Sequence, residues 1–206
     1  MLERRQRRNI LKAAAKALCC AILCVGAVLT PWHAAWAEKA VAVAPAGADG
    51  PEQVAVGMYL NRLSRISHKD GTFEIDAWVW FRWKGDKIDP TKTFEIVNGK
   101  MDAVSPTEVL DDGGFKYASA RVQGVIFQHF DVARYPFDNH TLSVVVEDST
   151  NQAPLLQYVS DAGSLIDPQV QVEGWKVVFG GADTSVHNYP TTYGFRALGE
   201  ESSKFS

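Results

Sequence analysis

Residues 72–83 read TFEIDAWVWFRW, and this stretch decides the fold class. Every second side chain in it is apolar, which is the period of a β-strand with one face in a core. The apolar series is Phe73, Ile75, Ala77, Val79, Phe81 and Trp83. Two tryptophans, Trp78 and Trp80, stand on the opposite face. The stretch therefore predicts a long strand whose second face is unusually aromatic.

Residues 54–60 alternate in the same way and precede this strand. The polar segment 68–71 (HKDG) between them ends in a glycine, which can take the positive φ of a tight turn. The sequence thus predicts a long β-hairpin.

Further strands are predicted at 115–130, 141–147 and 175–179, because each is rich in β-branched or aromatic residues and bounded by turn residues. No dozen-residue window after position 37 carries a helical stripe. The pattern favours an all-β fold, an antiparallel β-sandwich or barrel.

Residues 1–37 are typical of an export signal. A basic start precedes an apolar run at 17–29 that is short for a membrane span, and Ala35-Trp36-Ala37 predicts cleavage before Glu38. An arginine pair at 7–8 also resembles a twin-arginine signal, so general secretory and twin-arginine export both stay open. We expect the protein to be exported.

The rest of the chain is acidic, with 15 Lys and Arg against 23 Asp and Glu after position 37. Scattered bases in an acidic domain argue against a nucleic-acid partner, which needs a clustered positive face. All three cysteines lie in the leader, so the exported chain is predicted to have no disulfide and no thiolate site. Residues 38–52 read as a flexible linker, and 53–206 as the folded domain.

Residues 130–142 read FDVARYPFDNHTL, an aromatic-Pro-aromatic-Asp core followed by Thr-Leu. This motif resembles the loop between the sixth and seventh strands of bacterial pentameric ligand-gated ion channels. Residues 78–84 (WVWFRWK) are similar to the family's second strand, and 174–175 (GW) to the start of its ninth. Residues 189–193 (YPTTY) resemble the loop that caps the ligand site. The resemblance covers roughly residues 53–206.

The resemblance implies an immunoglobulin-like antiparallel β-sandwich that binds a small ligand, an amine or protons, between identical subunits of a pentamer. Such a domain lies on the periplasmic or extracellular face. The resemblance implies a ligand-binding role for four aromatic residues, Trp78, Trp80, Tyr189 and Tyr193. It implies packing roles for Trp83 and Trp175. Two turns would press on the linker between pore helices and so carry gating; they comprise Lys69, Asp70, Arg134, Tyr135, Pro136, Phe137 and Asp138.

Alternatives stay open for these residues. Trp78 and Trp80 could be filler between subunits instead of ligand contacts. Pro136, between two aromatic residues, suits a cis peptide bond. Asp138 is expected to turn inward, with Arg134 as its best partner in this chain.

Two departures from the family pattern stand out. The segment 89–109 is shorter than its counterpart in the family, and it lacks the family's Trp-x-Pro sequence. Residues 204–206 fall where the family's last strand begins, so we expect the pore helices, and with them the membrane association, to lie outside this sequence. A channel fragment, a disrupted gene and a secreted soluble β-sandwich that binds a small molecule or sugar all stay open.

Signatures of catalysis are missing: there is no Gly-x-Ser-x-Gly, no His-Glu-x-x-His and no phosphate-binding glycine loop. The histidines at 68, 129, 140 and 187 lack metal-ligand spacing. The sequence therefore predicts no enzyme, no cofactor and no metal site. A proton-sensing role for His129 or His140 with nearby carboxylates stays open.

Overall fold

The computed structural model describes residues 50–191, 194 and 201–206, which belong to one compact unit, Lys39–Ser206. The predicted leader, most of the predicted linker and Tyr193 lie outside the described residues. The strands in chain order are β1 (Glu52–Ser67), β2 (Thr72–Trp83), β3 (Phe94–Ile96), β4 (Gly99–Val104), β5 (Leu110–Asp112), β6 (Phe115–Phe127), β7 (Val146–Asp148), β8 (Leu156–Ser160), β9 (Leu165–Ile166), β10 (Thr184–Asn188) and β11 (Glu201–Phe205). One short helix, α1 (Pro90–Thr93), completes the described elements.

These strands form two sheets. The larger has the order β4-β6-β2-β1-β8, with β5 added on β6 and β9 on β1; the smaller has the order β10-β11-β7-β3. The predicted all-β class is therefore confirmed, since almost no helix is present among the described residues.

The predicted hairpin is confirmed by β1 and β2, which pair antiparallel with Tyr59 opposite Trp78 and Gly57 opposite Trp80. The predicted alternation holds as well: the odd-numbered side chains of β2 are buried, whereas Trp78 is 39% exposed. Burying one such aliphatic or aromatic side chain stabilises the fold by roughly 1.5–3 kcal/mol. The two sheets meet where the Phe81 ring packs 5.2 Å from the Phe94 ring, centroid to centroid.

The expectation of a purely antiparallel sandwich is wrong in one respect, because β8 and β9 both run parallel to β1. A parallel pair needs a long crossover, and the chain between β1 and β8 supplies one, since it contains β2 to β7.

Two predicted strands are also wrong in extent. Of the first, predicted at 141–147, only residues 146 and 147 lie in a strand, β7 (Val146–Asp148), and residues 176–179 of the second have no ladder. Strand geometry needs a hydrogen-bonded neighbour, and β-branched composition alone cannot supply one. No strand among the described residues pairs with residues 141–145 or 176–179.

A cavity of about 440 Å³ opens beside these two segments. Its lining includes Phe73 and Ile75 from the larger sheet, Phe130, and Leu142 and Val177 from the unpaired segments.

None of the described helices has the length and apolarity needed to cross a membrane.

Candidate functional site

The aromatic face of the larger sheet centres on Trp78 and Trp80. The indole nitrogen of Trp80 donates to Asp161 Oδ2 at 3.0 Å. Its ring lies directly over Gly57, where an added Cβ would stand 2.3 Å from the ring. Trp80 is therefore held in place by a hydrogen bond and by a glycine that leaves room for it. Trp78 is 39% exposed and is the more available of the two.

Arg121 lies opposite Trp78 on β6. Its guanidinium donates to both oxygens of Asp76, at 2.8 Å and 2.7 Å, and Gln123 donates to Oδ2 at 2.8 Å. The hydrogen bond from Arg121 lowers the pKa of Asp76 to about 2, although burial acts in the opposite direction. Asp76 thus remains ionised at neutral pH and holds the guanidinium beside Trp78.

Tyr189 lies just past the end of β10, and so lies beside the smaller sheet. Its hydroxyl donates to Glu147 Oε1 at 2.7 Å, and its ring packs 4.6 Å from His187. Trp78 therefore lies in the larger sheet and Tyr189 beside the smaller one, and one chain does not bring them together. Tyr193 lies outside the described residues.

Lys204 completes a cluster at Tyr189 that the sequence does not single out. Its ammonium is 2.5 Å from Glu147 Oε1 and 5.0 Å from the centroid of the Tyr189 ring. The one hint in the sequence is that Glu147 places a carboxylate directly after a β-branched run, where a charge needs a partner.

The two predicted gating turns lie at one end of the domain. Backbone N–H of Gln128 donates to Gly71 O at 2.8 Å, and this bond joins the β1–β2 turn to the end of β6. In that turn, Lys69 and Asp70 are exposed, and the Ser67 hydroxyl donates to Asp70 Oδ2 at 2.6 Å.

The 131–138 loop carries large apolar side chains into solvent. Tyr135 is 72% exposed and Phe137 is 87% exposed, and Arg134 and Pro136 are exposed beside them. The Tyr135–Pro136 peptide bond is cis, as the sequence predicts. Phe137 N–H donates to Arg134 O at 2.8 Å, which closes the turn and directs both aromatic rings outward.

Asp138 does turn inward, but its predicted partner is wrong. Its Oδ2 lies 2.6 Å from His140 Nε2, and the two side chains are only 5% and 8% exposed. Arg134 is exposed in the loop. His140, only two residues along the chain, thus supplies the partner of the Asp138 carboxylate in place of Arg134.

Four rings pack together behind this loop. The rings of His68 and His140 are 5.3 Å apart, and the Phe130 and Trp175 rings lie within 5.6 Å of both. His68 Nε2 is buried without a hydrogen-bond partner. The β1–β2 turn is thereby tied to both flanks of the loop. Trp175, 37% exposed, packs in this cluster, whereas Trp83 is buried in the core.

No family model matches the chain, and no curated protein matches it. Within the described residues, no group of three or more His, Cys, Asp or Glu side chains could hold a metal ion.

Proposed function

We propose that this chain is the extracellular ligand-binding domain of a bacterial pentameric ligand-gated ion channel. In this proposal the domain is an immunoglobulin-like sandwich with no catalytic activity, and it binds a small ligand between identical subunits. The chain is exported, and the pore to which binding is coupled lies outside this sequence.

The observation that carries the proposal is the junction of the two turns at one end of the domain. The His68 ring lies 4.9 Å from Phe130 and 5.3 Å from His140, which flank the loop that exposes Tyr135 and Phe137. A shift of the hairpin therefore moves the exposed aromatic rings, because close-packed contacts transmit displacement. Ligand closure at a distance would reach a pore through this junction, which is how two sites become coupled.

The positions of the aromatic residues proposed to bind the ligand support a site between subunits. Trp78 stands on the outer face of the larger sheet and Tyr189 beside the smaller one. A cation over an exposed ring gains roughly 0.5–1 kcal/mol, and about 2 kcal/mol when it is desolvated between several rings. Two chains, each presenting one of these faces, would enclose the cation far better than one.

Mass measurement and ligand titration test the proposal together. Native mass spectrometry of the purified chain is expected to give a pentamer, and Trp fluorescence is expected to respond to a primary amine or to acid. The response to amine should be lost in Trp78→Phe and kept in Trp175→Phe, whose ring packs against His68 and His140 instead. A chain that stays monomeric at every concentration contradicts the assembly, and a flat fluorescence response from a proven pentamer rejects the amine site.

A secreted soluble binding protein is the second candidate, and the 440 Å³ cavity favours it. This volume lies in the range of small-molecule pockets, roughly 300–1,000 Å³, and the cavity belongs to a single chain. Filling it with Val144→Trp would abolish binding by a monomer, whereas Trp78→Phe would leave that binding unchanged. Sugars and small apolar molecules titrated against the monomer distinguish this candidate from the first.

A further inference from the structure

Strand β11 is paired on both sides up to its C-terminal end. Phe205 lies opposite Val146 of β7 on one side and opposite Thr184 of β10 on the other. Ser206 continues the second ladder, because its N–H donates to Asp183 O at 2.9 Å and its carbonyl accepts from Asp183 N–H at 2.7 Å. The line of β11 therefore runs through the interior of the smaller sheet, between β7 and β10.

Two segments continue the lines of β7 and β10 past the end of β11. Residues 141–145 lead into β7, and residues 176–182 lead towards β10. We call them the flanking segments. Because β7 and β10 both run antiparallel to β11, the flanking segments lie on either side of the direction in which β11 points. The cavity of about 440 Å³ is lined by both of them and by Phe205 and Ser206.

The first flanking segment has the backbone geometry of a strand. Ser143 O accepts from Asn98 Nδ2 at 2.8 Å, and Val145 N–H donates to Asn98 Oδ1 at 2.9 Å. Asn98 follows β3, so these bonds lie on the side of β7 away from β11. Successive residues of a strand direct their N–H and C=O groups to opposite sides. The backbone groups of Leu142 and Val144 therefore face the cavity.

The second flanking segment offers backbone groups from the other side. Asp183 directs its N–H and C=O towards β11, and Ala182 O turns the opposite way to accept from Ser160 Oγ at 2.7 Å. The same alternation directs the backbone of Gly181 into the cavity. Leu142, Val144 and Gly181 have no backbone hydrogen-bond partner among the described residues. Two strand edges thus face one cavity.

The side chains of the flanking segments alternate in register with β11. Phe205 points into the core, and Val144, Leu142 and Ala182 are partly buried against the same core. The ladders of β11 fix the register of any strand that continues its line. Its first residue would lie between Val144 and Ala182, and its third between Leu142 and Gly180. Both positions face the apolar interior, whereas the second faces outward.

An extended peptide matches these features better than a small apolar molecule does. An apolar molecule would fill the volume but leave the N–H and C=O groups of both edges without partners, which costs free energy. A peptide strand supplies donors and acceptors on both of its sides, with the spacing that the edges require. The chemistry of the cavity therefore favours a peptide.

We propose that the cavity between the flanking segments binds an extended peptide of another polypeptide chain, which adds a strand in line with β11. The peptide runs antiparallel to both flanking segments and carries apolar side chains at its first, third and fifth residues. Main-chain hydrogen bonds supply affinity in such strand addition, and the alternate side chains supply specificity. The site uses none of the residues proposed to bind an amine or to carry gating, so it is independent of the pentamer.

A thermal shift with a synthetic peptide tests the site. The probe is acetyl-Val-Thr-Val-Lys-Val-amide, whose valines occupy the inward positions. Added to the purified chain, it is expected to raise Tm, and a dissociation constant of about 100 µM gives a rise of roughly 3–6 °C at about 1 mM peptide. The control peptide has the same side chains but is N-methylated at its first and third residues. It cannot donate to Val144 or Leu142 and should not raise Tm.

A pair of protein variants locates the effect. Val144→Trp fills the cavity and should abolish the rise in Tm. Val104→Trp adds the same side chain at a position that is 43% exposed on β4, and should keep the rise. Hydrogen exchange measured by mass spectrometry should slow in both flanking segments when peptide is added, and should not change in β4.

The N-methylated control keeps the test valid even if Val144→Trp does not fold, since that comparison uses the wild type. An equal rise in Tm with both peptides would mean that apolar filling alone stabilises the cavity, and it overturns the proposal. The absence of any rise overturns it too. Slower exchange of the flanking segments at rising protein concentration without peptide would show that a second copy fills the site instead. These outcomes do not depend on the amine titration, so the two proposals fail separately.

Discussion

Replacing Asp76 by Asn tests whether the buried carboxylate beside Trp78 stabilises the larger sheet. Asp76 is 3% exposed and accepts three hydrogen bonds, two from Arg121 and one from Gln123. Asparagine has nearly the same size as aspartate but no charge. Its Nδ2 group donates and cannot accept, so it cannot accept both of the hydrogen bonds that the Arg121 guanidinium donates to Asp76. Arg121 is half-exposed, so water replaces its partner there.

The magnitude follows from the pKa of Asp76, which hydrogen bonding from Arg121 lowers from 3.8 to about 2. Each pH unit of difference between the folded and unfolded pKa corresponds to about 1.4 kcal/mol, so the ionised carboxylate stabilises the folded state by about 2 kcal/mol. Because the folded pKa is the lower one, this stabilisation is present above about pH 4 and is lost as the pH falls towards 2.

Urea unfolding at several pH values between 7 and 2 measures the effect. At pH 7 the free energy of unfolding of Asp76→Asn should be about 2 kcal/mol below that of the wild type, and the two should converge near pH 2. Asp102→Asn is the control, because Asp102 forms an exposed pair with Lys100 and should change stability by less than about 0.5 kcal/mol. Parallel pH profiles for Asp76→Asn and the wild type would refute the reasoning.

Three further predictions concern packing and charge. Gly57→Ala is expected to displace the Trp80 ring, because the new Cβ would stand 2.3 Å from that ring. Tryptophan emission should shift, and the free energy of unfolding should fall by about 1–3 kcal/mol. Gly180→Ala, which has open space around its added Cβ, should change neither quantity. Leu156→Ala should lower the free energy of unfolding by about 2–5 kcal/mol in urea, because this side chain is fully buried. Burial and neighbouring acidic groups raise the pKa of Glu95, so its ionisation weakens the fold as the pH rises through that pKa. Glu95→Gln should therefore raise Tm at pH 7 but not at pH 3, and an equal gain at both would contradict this cause.

Local patterns were enough to predict the hairpin of the larger sheet. The alternation in β2 depends only on which side chains are apolar, and a strand has only two faces. The same logic correctly distinguished the buried Phe81 from the half-exposed Trp78. The turn at Gly71 has φ 64°, which explains why a glycine ends that segment.

Segments 141–147 and 175–179 show the limit of predicting strands from the local sequence pattern. Both have strand-like composition, yet only Val146–Asp148 is a strand, because a ladder depends on a neighbour that composition does not encode. The parallel pairing of β8 with β1 was missed for the same reason.

The same limit applies to the candidate sites: some of their features follow from the local sequence, and others depend on tertiary contacts. The sequence by itself determined the two-faced strands, the glycine turn and the aromatic residues around Pro136, since each follows from the chemistry of a few adjacent residues. Only the tertiary structure decided that His140 pairs with Asp138, that Gly57 makes room for Trp80, and that Lys204 lies against Glu147 and Tyr189. Burial and partnership depend on which segments meet in space, so a charge or a ring acquires its role only after the sheets have packed.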